Sequence, residues 1–323
     1  MLQRPRRNRK NTPIRQMIEE THLGVQNLIY PLFICDGVGK KESIDSLPNV
    51  FRFSLDNLLK EIEECVALGI HSFVLFPAVE DHLKDSVASY SYSQDNFYLK
   101  AISRIKSEFP EVVLMSDVAM DPYSTDGHDG LVKDGRILND ETLPILCGMS
   151  VAQAQAGIDI IGPSDMMDGR VGAIRKALDK SGYTDTSIMS YSAKYASAMY
   201  GPFRAALNSA PKFGDKKTYQ MNPANRQEAM IEARLDSEEG ADFLMVKPAI
   251  FYLDVIQALK ENFELPITAY NVSGEYAMIH AAAQKGWLDY DSAMAEMLLS
   301  IRRAGADGIL TYFAKDFARW ASK

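Results

Sequence analysis

The stretch Ala241-Asp242-Phe243-Leu244-Met245-Val246-Lys247-Pro248-Ala249 reads as a short buried strand that ends on a lysine. A Gly240-Ala241-Asp242 turn precedes it, the run from Phe243 to Val246 is apolar, and Pro248 stops it. A short apolar run between turn signals is the pattern of a strand covered on both faces. An unpaired ammonium is costly to bury. Lys247 therefore either snorkels from the strand end to solvent, or is an amine whose pKa is lowered so that it can attack a carbonyl. On this stretch alone the two readings stand level; a second lysine in the same setting tips the balance.

Working outward, apolar strands alternate with amphipathic helices. Strands are expected at 28–34, 72–76, 112–115, 158–161, 187–191, 243–247, 267–270 and 308–312. Helices are expected at 55–68, 97–107, 143–156, 172–178, 224–237, 252–259, 274–285 and 290–303, with a last short helix closing the chain. Eight strands separated by helices describe parallel α/β units, and eight is the number that closes a (β/α)8 TIM barrel. A doubly wound open sheet is the runner-up, weakened because no Gly-x-Gly-x-x-Gly follows the first strand. The chain's 323 residues exceed the ~250 typical of the barrel. A basic N-terminal arm (1–20) and two inserts, 77–95 and 192–222, account for the excess, which leaves one barrel domain over 21–323.

Composition narrows the function. With 46% hydrophobic residues and a net charge of -8, the chain is ordinary globular material, and nucleic acid is disfavoured as a partner. No apolar run approaches the ~20 residues of a membrane span, and no apolar signal segment opens the chain, so a cytoplasmic location is expected. Cys35, Cys65 and Cys147 form neither a disulfide framework nor a zinc spacing. In the arm, Arg4, Arg6, Arg7, Arg9, Lys10 and Arg15 crowd together with little apolar company. They read as a solvated tail, or as an arm that embraces an acidic second subunit.

In this barrel, active sites form where the strands end. The residues just past the strands are Asp117; Ser164 and Asp165; Tyr191, Ser192 and Lys194; Lys247; Tyr270 and Ser273; and Tyr312. Adjacent strands thus bring Lys194 and Lys247 to one mouth, where two ammonium groups disfavour each other's charge and leave a neutral amine that attacks ketones. The insert at about 192–222 carries Arg204, Lys216, Lys217 and Gln220. It is a solvated loop or a lid, and a lid with such cations suits a carboxylate-bearing substrate. The stretch from Asp117 to Gly130 holds four aspartates and His128, which fits either a magnesium site or a turn-rich loop.

These residues resemble those of one family. Tyr30-Pro-Leu-Phe33, Gly162-Pro-Ser-Asp-Met-Met-Asp-Gly-Arg170, Ser190-Tyr-Ser-Ala-Lys-Tyr-Ala-Ser197, Tyr200-Gly-Pro-Phe-Arg204, Met245-Val-Lys-Pro248, Val272-Ser-Gly-Glu-Tyr-Ala-Met278 and Arg303-Ala-Gly-Ala-Asp307 are together similar to porphobilinogen synthase, also called 5-aminolevulinate dehydratase. The resemblance, which includes the arm, implies a (β/α)8 barrel and a homo-octamer of arm-linked dimers. It implies condensation of two 5-aminolevulinate molecules to porphobilinogen with loss of two waters, in tetrapyrrole synthesis. By position, Lys247 would form the Schiff base with the first substrate and Lys194 with the second. Arg204, Lys216 and Gln220 would hold the second substrate's carboxylate, Ser273 and Tyr312 the first's, while Asp117 and Ser164 would lie near the first's amine. Tyr270 is a further substrate-binding candidate from the strand ends. Glu232 would ligate an allosteric Mg2+ away from the substrate, although without the resemblance it reads as an exposed glutamate paired with Arg226 or Arg234.

The chain departs from part of that family. Where many members place three cysteines for catalytic zinc, it has Ala119, Asp121 and Asp129. Thiolates select zinc and carboxylates suit magnesium, so no catalytic zinc is expected. Lys216 stands where an arginine is common, a point charge in place of a bidentate fork. The rival readings are a generic Schiff-base aldolase, which explains one lysine but not two, and a basic-armed interaction protein, which explains only residues 1–20.

Overall fold

The computed structural model describes residues 1–207, 212 and 214–323, with the side chains of 204 and 205 outside the description. Eight parallel strands form the barrel: β1 (Leu28–Cys35), β2 (Ser72–Ala78), β3 (Val113–Met115), β4 (Ile160–Ile161), β5 (Ser187–Lys194), β6 (Phe243–Lys247), β7 (Ile267–Asn271) and β8 (Gly308–Thr311). Each pairs with its neighbour in chain order, and β8 closes on β1 through Leu28↔Ile309 and Ile29↔Leu310. The strands read as continuous apolar runs because helices cover the sheet outside and side chains fill it inside. Phe33, Phe73, Phe76, Leu244, Val246, Ile267 and Ile309 are fully buried.

The expected strands and helices are present, with ends moved by a few residues. The helix expected at 143–156 begins earlier, at Asn139, and runs to Gln155 through Pro144. Sequence reading missed two antiparallel hairpins. One pairs Lys41–Ile44 with Leu47–Phe53 and leans on the end of β1 at Phe33↔Arg52. The other pairs Leu131–Lys133 with Arg136–Leu138 across Asp134-Gly135, both at positive φ. Apolar residues in these four strands come only singly or in pairs, so they lack the longer apolar run that marks a barrel strand. The segment after β5 carries a short helix, Gly201–Leu207, which was also missed. In the arm, a 3-10 turn (Pro5–Arg9) and a helix (Thr12–Met17, capped by Asn11) form without burying a residue.

One irregularity matters for the site. Phe243 and Leu244 face Met189 and Ser190, but Val246 and Lys247 face Ala193 and Lys194. Strand β5 therefore carries one extra residue over this span, a bulge that resets the register. An uninterrupted register would set Lys247 beside Ala193, and a slip of one residue turns every side chain to the opposite face.

Candidate active site

Because the strands are parallel, their carboxyl ends share one mouth, and the bulge places Lys194 and Lys247 side by side there. Both are nearly inaccessible, each at 6% exposure. The Lys247 ammonium lies 4.6 Å from the ring centre of Tyr270, 4.9 Å from Tyr191, 5.1 Å from Phe203 and 5.3 Å from Tyr200. It donates no described hydrogen bond to a carboxylate, and rings compensate a cation only weakly compared with a carboxylate. Burial, and then the Lys194 charge, pull its pKa down to about 7 against the opposing pull of Asp117, Asp129 and Asp121. The snorkelling reading of Lys247 does not hold.

Lys194 is held differently. Its Nζ donates to Asp129 Oδ2 at 3.1 Å and to the Ser164 carbonyl. Asp129 also accepts from Lys216 Nζ at 2.5 Å, and Lys216 bonds Asp121 Oδ2 at 3.2 Å. Burial would raise the Asp129 pKa, but Lys194 and Lys216 outweigh it and hold the carboxylate at about 2. Burial works against the Lys216 charge, yet Asp121 and Asp129 lift its pKa well above the ordinary lysine value. Asp121 and Asp129 of the 117–130 loop are thus paired with lysines. Among the described residues, no group of three or more His, Cys, Asp or Glu is arranged to hold a metal ion.

Asp117 is buried at the same mouth. Burial and then Asp121 raise its pKa to about 6, opposed by Lys247, Lys194 and the Ser164 hydroxyl. On the far side, Tyr270 and Tyr312 join hydroxyl to hydroxyl at 3.1 Å. Ser273 Oγ accepts from Phe203 N at 3.1 Å. Phe203 also packs edge-on against Phe76 with ring centres 5.0 Å apart, which seats the segment after β5 on the barrel mouth. Gln220 is buried, and its Oε1 meets no partner among the described residues. The Arg204 side chain lies outside the description.

Glu232 sits elsewhere, on the helix Gln227–Glu238, and lines a cavity of about 890 Å³ with Asp168 and Glu228. Burial raises its pKa to about 7; Arg170 opposes the rise, while Asp236, Asp168 and Glu228 add to it. The reading as an exposed glutamate paired with Arg226 or Arg234 is thereby corrected: Glu232 is half-buried, Arg226 bonds Asp254 at 3.6 Å, and the influential cation is Arg170. Arg170 itself forms a buried pair with Asp236 at 2.6 Å.

Sequence reasoning missed the aromatic enclosure of Lys247 and the role of Asp129 as the counter-charge shared by two lysines. The only available signal for the enclosure was the crowding of Tyr191, Tyr200 and Phe203 around the end of β5.

The family model described as Delta-aminolevulinic acid dehydratase matches residues 2–320. The chain belongs to the delta-aminolevulinic acid dehydratase family. A chloroplastic delta-aminolevulinic acid dehydratase of Physcomitrium patens is 56% identical over 99% of this chain and 74% of its own length. The Bacillus subtilis enzyme is 51% identical over 99% of this chain and 98% of its own. The crystal structure of the Toxoplasma gondii ME49 delta-aminolevulinic acid dehydratase (porphobilinogen synthase), in complex with the product porphobilinogen, superposes with a TM-score of 0.97 at 51% identity, covering 99% of this chain and 92% of that one. The (β/α)8 fold and membership of the delta-aminolevulinic acid dehydratase family are thus established together. The chain is an enzyme with the family's activity, condensation of 5-aminolevulinate to porphobilinogen in tetrapyrrole synthesis. Delta-aminolevulinic acid dehydratases are in general metal-dependent. No described helix is long and apolar enough to cross a membrane.

Proposed function

We propose that the chain joins two 5-aminolevulinate molecules through Schiff bases on Lys247 and Lys194, with Lys247 the primary nucleophile. The supporting observation is the pairing itself: two buried lysines in register, one compensated by a carboxylate and the other surrounded by rings, with a pKa near 7. A neutral Lys247 amine attacks the ketone carbon, and the resulting carbinolamine expels its hydroxyl as water to leave an iminium. Lys194 treats the second ketone likewise, so each ketone oxygen leaves as one water. Asp117, raised to about 6, is suited to exchange protons near neutral pH at the first substrate's amine, beside Ser164. Tyr312 and Ser273, with Tyr270 behind Tyr312, face the first substrate's carboxylate. Gln220 and Arg204 serve the second, and Lys216 keeps one of its three N–H donors beyond those used on Asp121 and Asp129. Borohydride trapping with 5-aminolevulinate tests this, since an aldolase would trap at one lysine and an interaction protein at none.

Two further readings complete the proposal. Carboxylate oxygens with room for water suit a magnesium ion, which rarely takes an all-protein cage. Glu232 would offer such an ion one carboxylate in a cavity with room for water, Asp168 and Glu228 lining the same cavity without forming a ligand cluster with it, and bound Mg2+ there would offset their repulsion. Asp121 and Asp129 do not fit catalytic zinc, being hard donors already paired with lysines. Magnesium is accordingly expected to stimulate activity severalfold, zinc to be dispensable, and Glu232→Ala to lose the stimulation while keeping basal turnover. Zinc-dependent activity after chelation, or a Glu232→Ala enzyme that magnesium still stimulates, would reverse the assignment.

The second reading concerns assembly and location. The exposed basic arm, with Arg6, Arg7 and Arg9 in its first turn, is the element we assign to clasping an acidic second copy within arm-linked dimers of an octamer. Deleting residues 1–10 is expected to weaken that assembly and leave barrel unfolding within about 0.5 kcal/mol of the full chain, since no contact of the core is lost. An unchanged octamer in sedimentation velocity would return the arm to a solvated tail. Free Cys35, Cys65 and Cys147 support a reducing, cytoplasmic setting, although the Physcomitrium patens relative is chloroplastic.

A further inference from the structure

Three consecutive loops of the barrel mouth, after β6, β7 and β8, are tied by one buried chain of hydrogen bonds that no role above uses. Glu275 lies in the first turn of the helix Ser273–Gln284. Its Oε1 accepts from Ile250 N at 2.7 Å, three residues beyond Lys247. Its Oε2 accepts from Val272 N at 2.9 Å, just before Ser273, and from Asn271 Nδ2 at 3.0 Å. Asn271 Oδ1 accepts from Thr311 Oγ1 at 2.9 Å, and Thr311 Oγ1 accepts from Phe313 N at 3.1 Å, just past Tyr312. Glu275, Asn271 and Thr311 all have zero exposure.

The donors and acceptors of this chain run in one direction. A carboxylate only accepts, an amide accepts on one side and donates on the other, and the threonine proton is used once. Burial raises the Glu275 pKa to about 7 against its backbone and amide donors, and no cation is among the groups acting on it. Burying a carboxylate without a counter-charge is expensive, and a serine or threonine cap would satisfy a helix N-terminus by itself. What the carboxylate adds is a simultaneous hold on two loops, with Asn271 and Thr311 extending the hold to a third.

We propose that Glu275, Asn271 and Thr311 are positioning residues that keep Lys247, Ser273 and Tyr312 in one mutual geometry, so that the first substrate's ketone and carboxylate are met together. The inference rests on the reading of Lys247, Ser273 and Tyr312 given above. A misplacement of about 1 Å at such a site can cost on the order of 100-fold in rate.

The test compares steady-state kinetics with stability in four variants and one rescue. Thr311→Val keeps the shape and removes the hydroxyl, Thr311→Ser restores the hydroxyl, and Glu275→Gln turns an NH2 toward an N–H. Thr311→Val and Glu275→Gln are expected to raise KM for 5-aminolevulinate about tenfold or more, with Lys247 still trapped by borohydride at saturating substrate, and Thr311→Ser is expected to return KM to near wild type. Ser273→Ala and Tyr312→Phe report on the underlying reading, and both should raise KM. If neither does, that reading is wrong and the positioning role falls with it. If both do while Thr311→Val and Glu275→Gln lower only the melting temperature, the positioning role alone is overturned and the network merely supports the fold. Should Glu275→Gln fail to fold, the Thr311→Val and Thr311→Ser pair decides by the same criterion.

Discussion

Lys247→Ala is expected to form no detectable porphobilinogen, a loss on the order of 10⁴-fold or more, and to lose borohydride trapping of the substrate. The amine is withdrawn from water among Tyr191, Tyr200, Phe203 and Tyr270. Burial and the Lys194 charge lower its pKa to about 7, so the nucleophilic neutral amine is available near neutral pH. In the wild type, trapping should therefore rise with pH through about 7, well below the ordinary lysine value of 10.5. The same shift has a sign for stability. Between about 7 and 10.5 the unfolded lysine holds a proton that the folded one has released, so this group's contribution to stability rises with pH across that window. Lys247→Ala removes that rise. Peptide mapping after reduction, together with unfolding curves at several pH values, checks both statements. Wild-type trapping by the alanine variant would end the assignment of Lys247 as the primary nucleophile.

Asp129→Asn carries the second large effect. The carboxylate accepts from Lys194 at 3.1 Å and Lys216 at 2.5 Å, and all three side chains are buried. An amide in its place removes the counter-charge of two buried ammonium groups and turns an NH2 toward one of them. Breaking a buried pair in this way costs about 3–5 kcal/mol, and displacing Lys194 should lower kcat/KM by on the order of 100-fold. Asp129 is held at about 2, against an ordinary 3.8. Its contribution to stability is thus fully present above about 3.8 and lost as pH falls through about 2. The variant should lack that acid-side loss. Chemical denaturation and kinetics read the outcome, and an Asp129→Asn enzyme of wild-type stability and turnover would show that the two lysines do not depend on this carboxylate.

Much of the fold was legible because it is repetitive. The apolar runs ending at Pro77, at Gly162-Pro163 and at Lys247-Pro248, with helical spacing between them, describe βα units without any long-range information. The two hairpins were not legible. Strands such as Lys41–Ile44 and Arg136–Leu138 are too short for any periodicity to mark them. The candidate site was legible as a set of strand-end residues, Asp117, Ser164, Lys194, Lys247, Ser273 and Tyr312, because parallel strands all end on one side. The environments of those residues were not, since burial and charge pairing are properties of neighbours far apart in the chain. Asp129 and Lys216, for instance, are separated by 87 positions.

By itself the sequence determined the eight strand–helix units, the two strand-end lysines, and the run of aspartates in the loop after the third strand. Only the tertiary structure decided which lysine keeps a counter-charge. The bulge in β5, which no local pattern announces, sets Lys194 beside Lys247. The loop after β3 then delivers Asp129 to Lys194, and the segment after β5 brings Phe203 over Lys247. The physical reason is that a pKa depends on solvent exclusion and on charges within a few ångströms, and those are established only when the barrel closes.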